Sequence, residues 1–124
     1  MATLDMSTIL LEAYQLADEI NESQEVKEYL KAKENLDNDP EAQKMIQEFY
    51  KANDRFEEAK RFGNFHPDYK KAKEQALALE KKIHEYPSVH AYLEAEKRLD
   101  QLLHQVSLII ARSVSKSVKV PGND

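Results

Sequence analysis

The chain of 124 residues has no cysteine and no tryptophan, and it contains only two glycines and four prolines. Without cysteine, this chain can form no disulfide, thiolate nucleophile or cysteine-ligated metal site. The scarcity of turn-forming residues favours a few long helices. No apolar run approaches the ~20 residues that a membrane-spanning helix needs. Met1–Met6 has neither the basic start nor the apolar core of a secretion signal. We therefore expect a soluble cytoplasmic protein.

Charged residues make up one third of the chain, and acidic residues are in excess. The sequence has 23 Asp and Glu against 18 Lys and Arg, which gives a formal net charge of -5. This balance argues against a protein whose main role is to bind phosphate backbones. The length fits one domain. We predict a single helical domain over residues 1–117, followed by a polar C-terminal tail over residues 118–124.

The stretch Arg61–Tyr69 interrupts a long helical pattern with a full set of stop and start signals. Gly63 stands where a helix that ends at Phe62 needs a residue tolerant of positive φ. Pro67 suits the first turn of the next helix, because the N–H that it lacks would have no partner there. Since the connector is short, the flanking helices should fold back on each other as an antiparallel hairpin.

The remaining segments also carry helix signals. Apolar residues recur three and four positions apart, which predicts about five helices. Small alanines on the fourth helix let a neighbouring helix approach closely, so the third and fourth helices should lie against each other. The predicted fold is therefore an all-α bundle of about five helices built on the long hairpin. The expected caps or initial prolines are Asp5 or Ser7, Ser23, Asp39 with Pro40, Pro67, and Ser88 after the Tyr86-Pro87 break.

The last helix becomes apolar on most of its circumference over Leu102–Ala111. Such a helix has to be buried on more than one side. In a chain of this size a second copy or a partner can supply the extra cover, so we predict a homo-oligomer, a dimer formed through this helix. The alternative is that the first helix covers the surface in a compact monomer. The predicted oligomer contacts are Leu103, Val106, Ile109 and Ile110.

The tip of the hairpin is a second candidate contact, in this case for a partner protein. Phe65, His66 and Tyr69 lie on a short loop held by two helices, and exposed aromatic residues on such loops are natural partner contacts. The alternative is that Phe62, Phe65 and Tyr69 close the end of the hairpin core, and we expect at least one of the three to face inward.

The sequence offers no pattern typical of a metal site or a catalytic centre. A helical metal site needs histidines three or four residues apart, and His66, His84, His90 and His104 are not spaced in this way. The acidic residues fall mainly between lysines, as on a solvated helix face. The chain also lacks a glycine-rich phosphate loop and a serine nucleophile in a tight turn. We expect no metal, no cofactor and no enzymatic activity.

An RNA-binding helical module remains the alternative function. The segment 70–82 contains five lysines, and Phe65 and Tyr69 beside it could stack on bases. Three glutamates, Glu74, Glu80 and Glu85, dilute this positive charge in or next to the segment. Charge pairs that keep the hairpin soluble are therefore the favoured interpretation. The lysines are Lys70, Lys71, Lys73, Lys81 and Lys82.

Two separate motifs resemble a known family. The stretch Arg61–Tyr69, read as Arg-Phe-Gly-Asn-Phe-His-Pro-Asp-Tyr, resembles the Arg-Phe-Gly-x-x-His-Pro-Asp-Tyr motif of the YlbF/YmcA family of regulators from spore-forming bacteria. The closing Val106-Ser107, Val114-Ser115 and Val118–Pro121 pattern is similar to the family's final segment. The resemblance covers nearly the whole chain.

The resemblance implies a small all-helical cytoplasmic regulator that is not an enzyme and that associates with other proteins. It implies roles in competence, sporulation and biofilm development, with YmcA-like and YaaT-like partners and a link to messenger processing by RNase Y. It also implies a cysteine-rich tail tied to an iron–sulfur cluster. Because this chain has no cysteine, we expect no cluster on it.

Overall fold

The computed structural model describes residues 5–63, 65 and 67–114, and it confirms the all-α fold. The described part of the chain forms five helices: α1 (Met6–Asn21), α2 (Gln24–Asp37), α3 (Pro40–Arg61), α4 (Tyr69–Glu85) and α5 (Pro87–Val114). The chain forms two compact units. Among the described residues, unit 1 contains those up to Lys31 and those from Ala95 to Val114, and unit 2 lies within Ala32–Glu94. The single domain over residues 1–117 stays a prediction, and the tail over 118–124 lies outside the described residues.

Two of the predicted helix caps are present in the first part of the chain. The side chain of Asp5 accepts a hydrogen bond of 3.3 Å from the backbone N–H of Ser7 at the start of α1. Ser23 Oγ accepts a bond of the same length from the N–H of Val26 in the first turn of α2. Each contact satisfies an N–H that has no partner within its helix.

The start of α3 also follows the prediction. Asp39 caps the helix, because its Oδ1 accepts a 3.2 Å hydrogen bond from the N–H of Ala42. Pro40 is the first helical residue, where its fixed φ suits the helix and its missing N–H costs no hydrogen bond.

The predicted antiparallel hairpin is formed by α3 and α4, which pack against each other in unit 2. Near the tip, the rings of Phe56 and Tyr69 lie 5.6 Å apart between centroids. Near the base, Ala42 and Ile83 share one core cluster. The side chains buried along the hairpin are mostly alanines, and their small size lets the helix backbones approach closely. These alanines are Ala42, Ala52, Ala59, Ala72 and Ala76.

The core of unit 2 lies at the base of the hairpin. Leu36 from the end of α2 and Val89 from the start of α5 join Ala42 and Ile83 there. The same apolar cluster therefore contains residues on both sides of the α2–α3 connection and of the α4–α5 connection, which lead into and out of the hairpin. The half-buried residues packed against it are Met45, Ile46, Phe49, Tyr86, Tyr92 and Leu93.

A polar cluster ties the start of α3 to the junction of α4 and α5. Ser88 Oγ donates a 2.8 Å hydrogen bond to Asp39 Oδ2, and the Tyr86 hydroxyl lies 3.4 Å from Asp39 Oδ1 and 3.1 Å from Glu41 Oε2. The hydrogen bond from Ser88 is the main cause that lowers the pKa of Asp39 below its usual range. The hydrogen bond from the N–H of Ala42 has the next largest effect in the same direction. Partial burial, and then the bond to Glu41, raises the pKa of Tyr86.

Two predicted helix starts are displaced. The prediction that Ser88 caps α5 is wrong, because α5 begins at Pro87 and the Ser88 hydroxyl binds Asp39 instead. The carbonyl of Tyr86 accepts the N–H of His90 at 2.8 Å. In the hairpin, Pro67 lies in the turn and α4 begins two residues later, at Tyr69.

Unit 1 is packed less tightly than the hairpin. None of the residues of α1 is buried, and only Leu16 and Ile20 are half-buried. In α5, Ala95 and Ala111 are buried. A 3.9 Å ion pair between Glu28 and Arg98 is largely solvent-exposed and adds little stability. None of the helices formed by the described residues is both long enough and apolar enough to span a membrane.

Candidate protein-interaction surfaces

The hairpin tip presents aromatic side chains to solvent. Gly63 has φ +89°, as predicted for the residue that ends α3. Phe65 is 99% exposed and Phe62 is also exposed. Tyr69 is half-buried, because its ring packs on Phe56. Of the three predicted partner contacts, Phe65 is therefore free for contact and Tyr69 belongs mainly to the hairpin, while His66 lies outside the described residues.

A groove of about 540 Å³ lies between α3 and α4 beside the tip. The buried alanines Ala59 and Ala72 are among its lining residues, together with charged side chains of both signs. Because two cationic and two acidic residues line it, the groove offers no net positive charge to a phosphate group. Its lining residues are Arg55, Glu58, Ala59, Phe62, Asp68, Lys71, Ala72 and Gln75.

The second half of α5 exposes most of the residues predicted to form an oligomer contact. Leu103, Ile109 and Ile110 are exposed, and Val106 is half-buried. Val114, at the end of the described part of α5, is exposed as well. Exposed apolar side chains grouped on one element make this part of α5 a candidate for protein association.

The first helix, α1, also exposes large apolar side chains. One alternative from the sequence had this helix cover the end of α5 in a compact monomer. In the structure neither surface is covered, since large apolar side chains of both helices are exposed. The sequence contains an indication of this exposure, because Leu11 and Tyr14 extend the apolar surface of α1 beyond a single stripe. The exposed residues of α1 are Met6, Ile9, Leu10, Leu11 and Tyr14.

The histidines and carboxylates do not form a constellation typical of metal binding in the described part of the chain. His84, His90 and His104 are exposed, and His66 is outside the described residues. Among residues 5–63, 65 and 67–114, no three His, Asp or Glu side chains are grouped so that they could hold a metal ion. Asp39 and Glu41 accept hydrogen bonds from Ser88 and Tyr86, and these bonds connect helices at the base of the hairpin.

Comparison with known proteins finds one matching family model and two similar sequences. A family model described as "Control of competence regulator ComK, YlbF/YmcA" matches residues 9–115. The regulatory protein YlbF of Bacillus subtilis is 33% identical over 123 residues, which cover 98% of this chain and 83% of that protein. A UPF0342 protein of Desulfitobacterium hafniense is 32% identical over 103 residues, covering 82% of this chain and 81% of that protein.

A solved structure shares the fold over most of the chain. A chain in the X-ray structure of Bacillus subtilis RicA in complex with RicF superposes with a TM-score of 0.86 and 30% identity. The superposition covers 93% of this chain and all of the other. The fold, the two motifs and the match over residues 9–115 agree. The chain therefore belongs to the YlbF/YmcA family, the regulators described by their control of competence.

Proposed function

We propose that this protein is a non-enzymatic regulatory adaptor that binds partner proteins in a complex and thereby controls competence, sporulation and biofilm development. The observation that carries the proposal is the exposure of large apolar side chains at two places, the helices of unit 1 and the hairpin tip of unit 2. A protein whose rigid helices present apolar side chains to water is suited to bind other proteins. The family's description as a regulator supports the same interpretation.

The proposed partners are YmcA-like and YaaT-like proteins of the same organism, and the proposed target is messenger processing by RNase Y. The fold-level match to a chain in a RicA–RicF complex supports partners that are proteins. Within this proposal, Leu103, Val106, Ile109 and Ile110 form a homodimer contact, and the tip around Phe65 contacts a partner. No cofactor takes part through this chain, which has no cysteine to ligate an iron–sulfur cluster.

A pull-down from native cell extract tests the adaptor function. The tagged protein is used with and without nuclease treatment, and captured proteins are identified by mass spectrometry. We expect YmcA-like and YaaT-like proteins to be recovered equally in both samples. Phe65→Ser should reduce their recovery, while Leu77→Ser, at an exposed apolar residue of α4, should not. Recovery of RNA alone, or loss of all partners after nuclease treatment, would contradict the adaptor function.

The second candidate is an RNA-binding module that uses α4. The observation in its favour is that all five lysines of this helix are solvent-exposed. Salt-sensitive binding of RNA by the purified protein, lost when Lys70 and Lys71 are changed to Glu, would support it. We expect no such binding, because the three glutamates of α4 and the net charge of -5 oppose it.

A further inference from the structure

One side of the hairpin tip carries a group of exposed lysines. The rings of Phe56 and Tyr69 meet across the seam between α3 and α4, with centroids 5.6 Å apart. Lys60 follows Phe56 by four residues, and Lys73 follows Tyr69 by four, so each lysine lies on the same side of its helix as the ring before it. Because the two rings are in contact, both lysines lie on one side of the hairpin, and both are exposed.

A third lysine extends this group toward the turn. Lys70 precedes Lys73 by three residues, so the two are neighbours on the surface of α4, and Lys70 is exposed as well. Side chains on a helix lean toward its N-terminus, which for α4 lies at the hairpin tip. Lys60, Lys70 and Lys73 are called the tip lysine patch below.

The acidic residues nearest to the tip lysine patch do not pair with it. Glu57 precedes Lys60 by three residues and Glu74 follows Lys70 by four, which is close enough for a pair on a helix surface. Within the described part of the chain, however, none of the three patch lysines forms an ion pair. Lys73 has no acidic residue three or four positions away in either direction.

The other acidic side chains of the tip belong to the groove beside it. Glu58, which lines the groove, is two residues from Lys60 and therefore roughly 200° away around α3. Asp68, in the turn, lines the same groove. The tip lysine patch is therefore a separate, positively charged surface on a chain whose net charge is -5.

From this arrangement we infer that the protein partner at the hairpin tip presents an acidic surface, with the tip lysine patch against its acidic groups and Phe65 in an apolar pocket among them. Phe65 is 99% exposed in the turn between the patch-bearing helices, and complementary charge around an apolar anchor is typical of protein recognition. Three lysines are few for a phosphate backbone, whose binding proteins commonly make about 6–10 phosphate contacts. The inference rests on the proposed adaptor function and adds the chemistry of the partner.

The test compares two charge reversals at different places on the hairpin. The patch variant combines Lys60→Glu with Lys73→Glu. The control variant combines Lys81→Glu with Lys82→Glu, which changes the charge by the same amount at exposed residues that begin about 12 Å further along α4. Stopped-flow fluorescence would measure the association and dissociation rates of each full-length variant with the labelled YmcA-like protein and, separately, with the labelled YaaT-like protein.

Charge and apolar contact should affect different rates. With the partner that binds the tip, we expect the patch variant to associate roughly tenfold or more slowly than wild type at low salt, and the control variant to associate like wild type. Added salt should slow wild type and have little effect on the patch variant, because salt screens the attraction. Phe65→Ser should act mainly by raising the dissociation rate.

Circular dichroism would verify that each variant keeps its helices. If the patch variant loses helicity, Lys60→Gln with Lys73→Gln replaces it, and a smaller slowing in the same direction is then expected. A patch variant that binds both partners like wild type, or a control variant slowed equally, would overturn the acidic partner surface and leave the adaptor function standing.

Two further results would also overturn the inference. If wild type binds neither protein, the adaptor function fails together with it. Parallel titrations with RNA and with phosphatidylserine vesicles test the other possible occupants of the tip lysine patch. Binding to either that is lost in the patch variant, while binding to both proteins is unchanged, would assign the patch to phosphate groups instead.

Discussion

We expect Ile83→Ala to lower the unfolding free energy by about 2–5 kcal/mol, the usual cost of removing a large aliphatic side chain from a core. Ile83 is 6% exposed and shares its cluster with Leu36, Ala42 and Val89. These residues come from α2, α3 and α5, so the cavity would weaken the packing of α4 against three other helices at once. Because a domain is typically stable by about 5–15 kcal/mol, the loss would be a large part of the total.

Urea denaturation followed by the helical signal in circular dichroism measures this effect. A loss of 2–5 kcal/mol also corresponds to a fall in melting temperature of about 8–20 °C for a domain of this size. Leu77→Ala in the same helix is the control, because it removes an exposed side chain and should change stability by less than about 0.5 kcal/mol. Equal effects of the two substitutions would refute the assignment of Ile83 to the core.

Three further substitutions test other features of unit 2. Asp39→Asn keeps a capping side chain but removes the charge. The pKa of Asp39 is lowered from 3.8 in the folded protein. The stability that depends on this charge is therefore complete above 3.8, and it disappears as the pH falls through the pKa of the folded protein. Urea titrations from neutral pH downward should therefore show a wild-type advantage that vanishes in acid, and a constant difference would contradict this. Gly63→Ala should destabilise the protein by about 1–2 kcal/mol in thermal unfolding, because φ is +89°, where an L side chain strains the backbone. Apart from the adjoining residues, the described part of the chain has no atom within 4 Å of the added methyl group, so we expect backbone strain to dominate the cost. Phe65→Ala should leave thermal stability within about 0.5 kcal/mol, since its ring is exposed, and a larger loss would mean that the ring packs on the hairpin.

Local signals predicted the hairpin because each of them acts over a few residues. Gly63 ends α3 through its backbone conformation, and Asp39 with Pro40 begins α3 through a side-chain bond within the first turn. In α4, Ala72, Ala76 and Ile83 repeat with helical spacing and are buried, so the side of α4 that contacts α3 could be predicted from the sequence.

The error at the start of α5 concerns a contact between residues far apart in the sequence. Ser88 has the chemistry of an N-cap, but its hydroxyl binds Asp39, which is 49 residues away, and no local pattern indicates that bond. In α1, helical periodicity shows only which apolar residues share a side of the helix. Which partner covers that side depends on tertiary or quaternary contacts. The tip was predicted in part, since Phe65 is exposed while Tyr69 packs on Phe56.

Binding between purified components addresses the proposed function most directly. The nuclease-treated full-length protein would be titrated by calorimetry with the purified YmcA-like protein of the same organism, and in parallel with RNA at low and high salt. The adaptor function predicts saturable binding to the protein partner with no nucleic acid present, and no salt-sensitive binding of RNA. Binding of RNA without any binding of the protein partner would contradict it and favour the lysine-rich helix α4 as the functional element.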